Sequence, residues 1–141
     1  MAVMDDKTRE AVRQVLRELP RTVKLVMFTQ ELECEYCAVT RELVEELAGL
    51  SEHLTADVRD FVADAELAEQ YGVDKIPALL VRADEDPGIR FYGVPAGYEF
   101  DSVLQAVQDV ARGDAGLPGV VMEDLARVDK PVHLQVMITP T

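Results

Sequence analysis

The tetrad Cys34-Glu35-Tyr36-Cys37, set between a β-branched apolar run and a helical apolar pattern, constrains this chain more than any other feature. Ahead of it, Thr22–Thr29 is apolar almost throughout, which suits a central strand covered on both faces. Behind it, Tyr36, Leu43, Val44, Leu47 and Leu50 recur at helical spacing, so a helix is predicted over Tyr36–Leu50. Cys34 is then expected at the first turn of that helix and Cys37 inside it, on a strand-to-helix junction. A Cys-x-x-Cys bridge closes too short a loop to staple a fold entropically, and structural disulfides are uncommon in a reducing cytoplasm. Catalysis or metal ligation remains. The only histidines are His53 and His133, and no second cysteine pair completes a four-ligand zinc site within one chain. Each histidine suits a surface or half-buried position better than a ligand role.

Exchange between a dithiol and a disulfide needs one accessible thiolate to attack and a second thiol close enough to resolve the mixed disulfide. A sulfur at a helix start lies near unpaired backbone N–H groups and the positive end of the helix dipole, which favours ionisation of Cys34. Cys37, one turn further on, is expected to be shielded. Glu31, Glu33 and Glu35 put negative charge beside the sulfur and oppose the dipole, so a less activated nucleophile is expected than the tetrad alone suggests.

The rest of the chain supplies a fold around this junction. Asp6–Leu19 is an amphipathic helical pattern stopped by Pro20. Thr55–Val62 is predicted as a second strand, and Asp64–Tyr71 as a short helix ended by Gly72. Pro77–Arg82 and Ile89–Gly93 are short apolar strands joined by the Asp-, Pro- and Gly-containing loop Ala83–Gly88, an antiparallel hairpin. Phe100, Val103, Leu104, Val107, Val110 and Ala111 form a last amphipathic helix. The expectation is an α/β domain over residues 1–112, a central mixed four-stranded sheet flanked by helices with an extra helix in front. Residues 113–141 follow as a helix-strand extension: the linker Gly113–Gly119, a short helix over Val121–Val128, and a strand over Val132–Ile138 after Pro131. This tail has the same helix, proline, strand order as Asp6–Phe28, and Val132-His133-Leu134 matches Val23-Lys24-Leu25. The alternatives are two unrelated short strands or the opening of a second repeat; the repeat is the preferred reading.

Charge narrows the partners. Lys and Arg total 14 against 27 Asp and Glu, a formal net charge of −13, which repels phosphate backbones and anionic lipid. Nucleic acid and membrane are not expected partners. No apolar run approaches the ~18 residues of a membrane-spanning helix, and Met1–Arg13 is too charged for a secretory signal, so a cytoplasmic location is expected.

The apolar strand, Cys-x-x-Cys on a helix, and Ile76-Pro77 at the start of a later strand together resemble the thioredoxin and glutaredoxin superfamily. The resemblance implies a thioredoxin-like fold, a redox-active pair Cys34 and Cys37, and a cis Pro77 lying against the cysteines. It also implies that Ile76 offers main-chain hydrogen bonds to an extended peptide substrate. With Glu35 and Tyr36, which lie between the cysteines and shape the surface there, Ile76 and Pro77 make up the substrate-binding candidates. Within the superfamily, the leading helix, Cys34-Glu35-Tyr36-Cys37 and the run from Phe91 to Phe100 are similar to two-domain glutaredoxin-like protein disulfide oxidoreductases. That similarity implies an N-terminal half followed by the first strand of a second thioredoxin-like repeat, whose own Cys-Pro-x-Cys is due where this sequence reaches Thr139-Pro140-Thr141.

Two departures bear on the chemistry. Where thioredoxin has a buried aspartate six residues before its first cysteine, this chain has Phe28, and Gly93-Val94-Pro95 replaces the Gly-Gly-x-Asp turn of glutathione-binding glutaredoxins. The family implies an enzyme acting on protein disulfides, a thioredoxin-reductase-type electron donor, and no cofactor or metal. The competing class is a partner-binding module whose cysteines are redox-inert or bind metal between two chains. The tail strand, with Val132, Leu134, Val136 and Ile138 on one face, is expected either to pair with a second molecule, giving a homodimer, or to be poorly ordered.

Overall fold

The computed structural model describes residues 2–139; Pro140 and Thr141, where the sequence reaches the place of a second cysteine motif, lie outside the described residues. Its elements run α1 (Asp6–Leu16), β1 (Val23–Thr29), α2 (Cys37–Ala48), β2 (Leu54–Asp60), α3 (Ala65–Gln70), β3 (Ala78–Arg82), β4 (Ile89–Tyr92), α4 (Tyr98–Arg112) and α5 (Gly119–Leu125). The four strands form one mixed sheet in the order β2-β1-β3-β4, with β1 parallel to β2 and antiparallel to β3, and β3 antiparallel to β4.

Side-chain alternation along β1 explains why it sits in the middle. Val23, Leu25 and Met27 face a cluster that includes Leu16 of α1, Leu43, Val44 and Leu47 of α2, and Val103 and Val107 of α4. Val26 and Phe28 face the other way, into a second cluster with Ala68 of α3, Val73, Ala78 and Leu80. Phe28 and Leu25 are fully buried, and each such side chain contributes about 1.5–3 kcal/mol relative to exposure. Strand β2, at the sheet edge, buries only Leu54 fully.

Local chemistry sets the helix ends. The Asp5 carboxylate accepts from the Thr8 N–H at 2.6 Å and caps α1. Arg9 then ties α1 to α2 by donating to Glu46 Oε1 at 2.7 Å and to the Met4 carbonyl at 2.9 Å. Gly113, at φ +71°, closes α4 in the left-handed region that glycine tolerates.

The tail differs from expectation. Its helix forms at Gly119–Leu125, a little earlier than Val121–Val128, and buries none of its residues. Val132–Ile138, predicted as a strand, has no regular secondary structure, and Leu134, Val136 and Met137 are 85%, 85% and 90% exposed. An alternating apolar pattern nominates a strand, but the ladder that makes one requires a neighbour, and no described strand pairs with this segment.

Candidate functional site

The site is built where β1 delivers the chain to α2. Phe28 pairs with Ala78 across the sheet, so Pro77 and the loop leaving Thr29 stand at the same sheet end. The Gln30 side chain donates to the Leu32 carbonyl at 2.5 Å and folds the loop back on itself. Glu33 then adopts φ +57°, the one non-glycine residue in the left-handed region among those described. Such a backbone costs on the order of 1 kcal/mol and is concentrated at functional sites.

Cys34 and Cys37 are joined by a disulfide with their Cα atoms 5.5 Å apart. Cys34 is half-buried whereas Cys37 is 1% exposed. The accessible and the shielded cysteine are therefore those expected, but the helix starts one residue later than predicted. Cys37 is the first residue of α2, not an interior one, and Cys34 lies in the turn ahead of it. The helix ladder starts with the Thr40 N–H donating to the Tyr36 carbonyl at 3.1 Å, so nothing N-terminal to Tyr36 is inside it.

Around the sulfurs, Leu32 and Tyr36 are 76% and 53% exposed and give the loop an apolar surface. Glu31, Glu33 and Glu35 are exposed, and among the described residues none of them makes a hydrogen bond or ion pair. On the other side of the loop the Ile76–Pro77 bond is cis. Pro77 is buried and its carbonyl accepts from the Gly93 N–H at 3.0 Å; Ile76 is half-buried, and its own N–H and carbonyl have no partner among the described residues. Before Ile76, the Lys75 ammonium donates to Asp74 at 2.6 Å, holding that carboxyl below its ordinary value, and lies 4.6 Å from the Tyr92 ring centroid.

A groove of about 420 Å³ adjoins Cys34 on the β2 side and is walled by Gln30, Ala38, Arg41, Val58, Arg59 and Asp60. A larger hollow of about 560 Å³ lies beneath α3, lined by Phe61, Val62, Ala68 and Val73; it holds neither sulfur. Under the site, Phe28 is wholly buried and meets Tyr71 edge-on at 6.3 Å between ring centroids, so an apolar contact fills the position of thioredoxin's aspartate.

Sequence reasoning missed two residues here. Thr40 is the one fully buried polar residue among those described, and its hydroxyl donates to the Tyr36 carbonyl at 2.7 Å, clamping the turn between the cysteines to α2. A threonine in a helix carries no signal for this in isolation. Arg41 lines the groove only because α2 packs beside the end of β2. Asp60 is exposed and accepts from the Val62 and Ala63 N–H groups at 2.9 and 2.8 Å, a turn-forming role. His53 is half-buried beside Glu52 and His133 lies in the exposed tail; no group of three potential metal ligands occurs among the described residues.

No family model matches the chain. Over 102 residues, 72% of its length, it is 24% identical to the alkyl hydroperoxide reductase protein AhpF of Staphylococcus epidermidis, and the match spans only 18% of that relative. Among solved structures, a protein disulfide oxidoreductase from Aeropyrum pernix superposes with a TM-score of 0.79 at 22% identity, covering 89% of this chain and 56% of the other. The AhpF protein of Enterococcus faecalis superposes with a TM-score of 0.80 at 22% identity, covering 90% and 62%. These likenesses show a thioredoxin-like fold, as the sequence resemblance implied.

Proposed function

We propose that this chain is a thiol–disulfide oxidoreductase acting on protein disulfides through Cys34 and Cys37. The observation that carries the reading is the bridged pair itself: an accessible sulfur ahead of α2 joined to a buried one on its first residue. In the reduced chain the Cys34 thiolate attacks a substrate disulfide, forming a mixed disulfide and expelling one substrate thiolate. Cys37 then gives its proton to that thiolate or to water and attacks Cys34 Sγ, releasing the second substrate thiolate and restoring the Cys34–Cys37 bond. Two electrons pass from the dithiol to the substrate. Phe28, wholly buried where the thioredoxin pattern has an aspartate, supplies no carboxylate to take that proton.

The surface suits an extended peptide. Ile76 holds out an unpaired main-chain N–H and carbonyl, while Leu32 and Tyr36 offer apolar contact on the other side of the sulfurs. Glu35 is placed to meet flanking charge. A dithiol donor of the thioredoxin-reductase type returns the pair to the reduced state. Two of the similar proteins are named as AhpF of an alkyl hydroperoxide reductase, which supports a place in a relay of this kind. The acidic composition and unstapled cysteine usage support a cytoplasmic setting.

Residues 113–141 belong to the same reading as a linker, a short helix and the first strand-forming segment of a second thioredoxin-like repeat. The repeated order of helix, proline and apolar alternation supports it, as does the uncovered apolar face of Val132–Ile138, which suits pairing with another sheet edge, including that of a second copy.

Turnover of insulin disulfides by the reduced chain, against a Cys34→Ser control, tests the function. Turnover that disappears in the control is expected. Partner binding that is indifferent to both thiols, with no turnover, would place the chain among the binding modules instead.

A further inference from the structure

The carboxylates of the cysteine loop create a problem that Arg41 is placed to solve. The Cys34 backbone lies ahead of α2, but its sulfur is bonded to that of Cys37, the first helical residue, and so sits at the positive end of the helix dipole. Glu31, Glu33 and Glu35 flank it with unpaired carboxylates that oppose the dipole. A thiolate at Cys34 therefore gains from further positive charge.

Ala38 and Arg41, three residues apart on one face of α2, line the same groove as Cys34. Glu45 continues the stripe, accepting from Arg41 Nε at 2.9 Å. That bond engages Nε of the guanidinium, while its other N–H donors have no partner among the described residues. Arg59, the second guanidinium on the groove wall, is differently placed: Asp57 takes it at two points, 2.8 and 3.1 Å, and Asp64 lies 3.8 Å away. On the other side of the loop, Lys75 is committed to Asp74. Asp60 spends one carboxylate oxygen on the backbone of its own turn. Of the two guanidiniums on the groove wall, Arg41 is the less committed to carboxylates.

We propose that Arg41 is a positioning residue for the exchange, its guanidinium stabilising the Cys34 thiolate against the carboxylates of the cysteine loop. The inference rests on the exchange reading above. When a dithiol donor reduces the pair, the S–S bond accepts two electrons, Cys37 takes one donor proton, and the other goes to water. Cys34 is left as the thiolate, in the groove that Arg41 lines.

The test is the pH dependence of Cys34 alkylation by iodoacetamide in the reduced full chain, with the adduct mapped by mass spectrometry. Arg41→Gln should raise the midpoint by about half to one pH unit, and slow alkylation at neutral pH about three- to tenfold. Arg41→Lys should restore most of the shift, since charge and not shape is the cause, and it also controls for altered folding. A midpoint unchanged in Arg41→Gln, or one raised equally in Arg41→Lys, would overturn the proposal. Because alkylation needs no protein substrate, a shift without insulin turnover counts against the oxidoreductase reading and not against Arg41, and turnover without a shift does the reverse.

Discussion

Residues 6–29 and 119–138 carry the same succession of helix, proline and alternating apolar run, yet Val23 and Leu25 are 0% exposed while Leu134 and Val136 are each 85% exposed. The difference is not in the local pattern. Val23–Thr29 has β2 and β3 on its two edges and helices over both faces, so each apolar side chain leaves water and each backbone group finds a ladder partner. Val132–Ile138 has neither among the described residues. Periodicity records which face a segment would bury; whether it is buried depends on elements far away in sequence.

The comparison is broken most forcefully by matched truncations. Leu80→Ala, at a wholly buried position of β3, should cost about 2–5 kcal/mol in urea unfolding, through lost burial and the cavity left behind. Leu134→Ala in the tail should stay within about 0.5 kcal/mol of the parent. Comparable losses at both positions would mean that the tail is packed.

Glu46 probes the clamp that joins α1 to α2. Burial pushes its carboxyl up, but Arg9 and the Val3 and Met4 N–H groups outweigh that and hold it below its ordinary value. A carboxyl depressed in the folded state contributes stability that is present above its unfolded pKa of about 4.3 and is lost as pH falls through the folded value. Glu46→Gln should therefore lower stability by about 1–2 kcal/mol near neutral pH. The gap from the parent should close in acid, as urea midpoints across the acidic range will read. A gap that stayed constant into acid would assign the loss to packing.

A smaller effect, of opposite sign, is expected at the cysteine loop. Glu33→Gly relieves the φ of +57° and should stabilise the chain by about 0.5–1 kcal/mol, read as a rise in melting temperature. Smallest of all is removal of residues 129–141. It should leave melting within about a degree of the parent, while shifting sedimentation toward the monomer. A large fall in melting temperature would show that the tail packs on its own domain.

Much of the site was legible in the sequence. Thr22–Thr29 announced a central strand because both its faces are apolar, and the cysteine tetrad and Ile76-Pro77 lie at the same end of the sheet. The helix start was not legible, since Tyr36 continues the apolar rhythm of α2 although it lies outside the helix with its ring in solvent. Thr40 and Arg41 were missed for a related reason. Their roles come from a carbonyl one turn back and from a neighbouring strand end, neither of which composition or spacing reveals. The tail strand failed because its ladder partner is not written in its own residues.

The account turns on Cys34 attacking and Cys37 resolving, and trapping the mixed disulfide tests that division most directly. Reduced Cys37→Ser and Cys34→Ser chains are each mixed with insulin, quenched with acid and mapped by mass spectrometry. The account predicts that Cys37→Ser accumulates an insulin chain disulfide-linked through Cys34, and that Cys34→Ser, left with the buried Cys37, accumulates almost none. Equal trapping by both variants, or preferential trapping at Cys37, would contradict it.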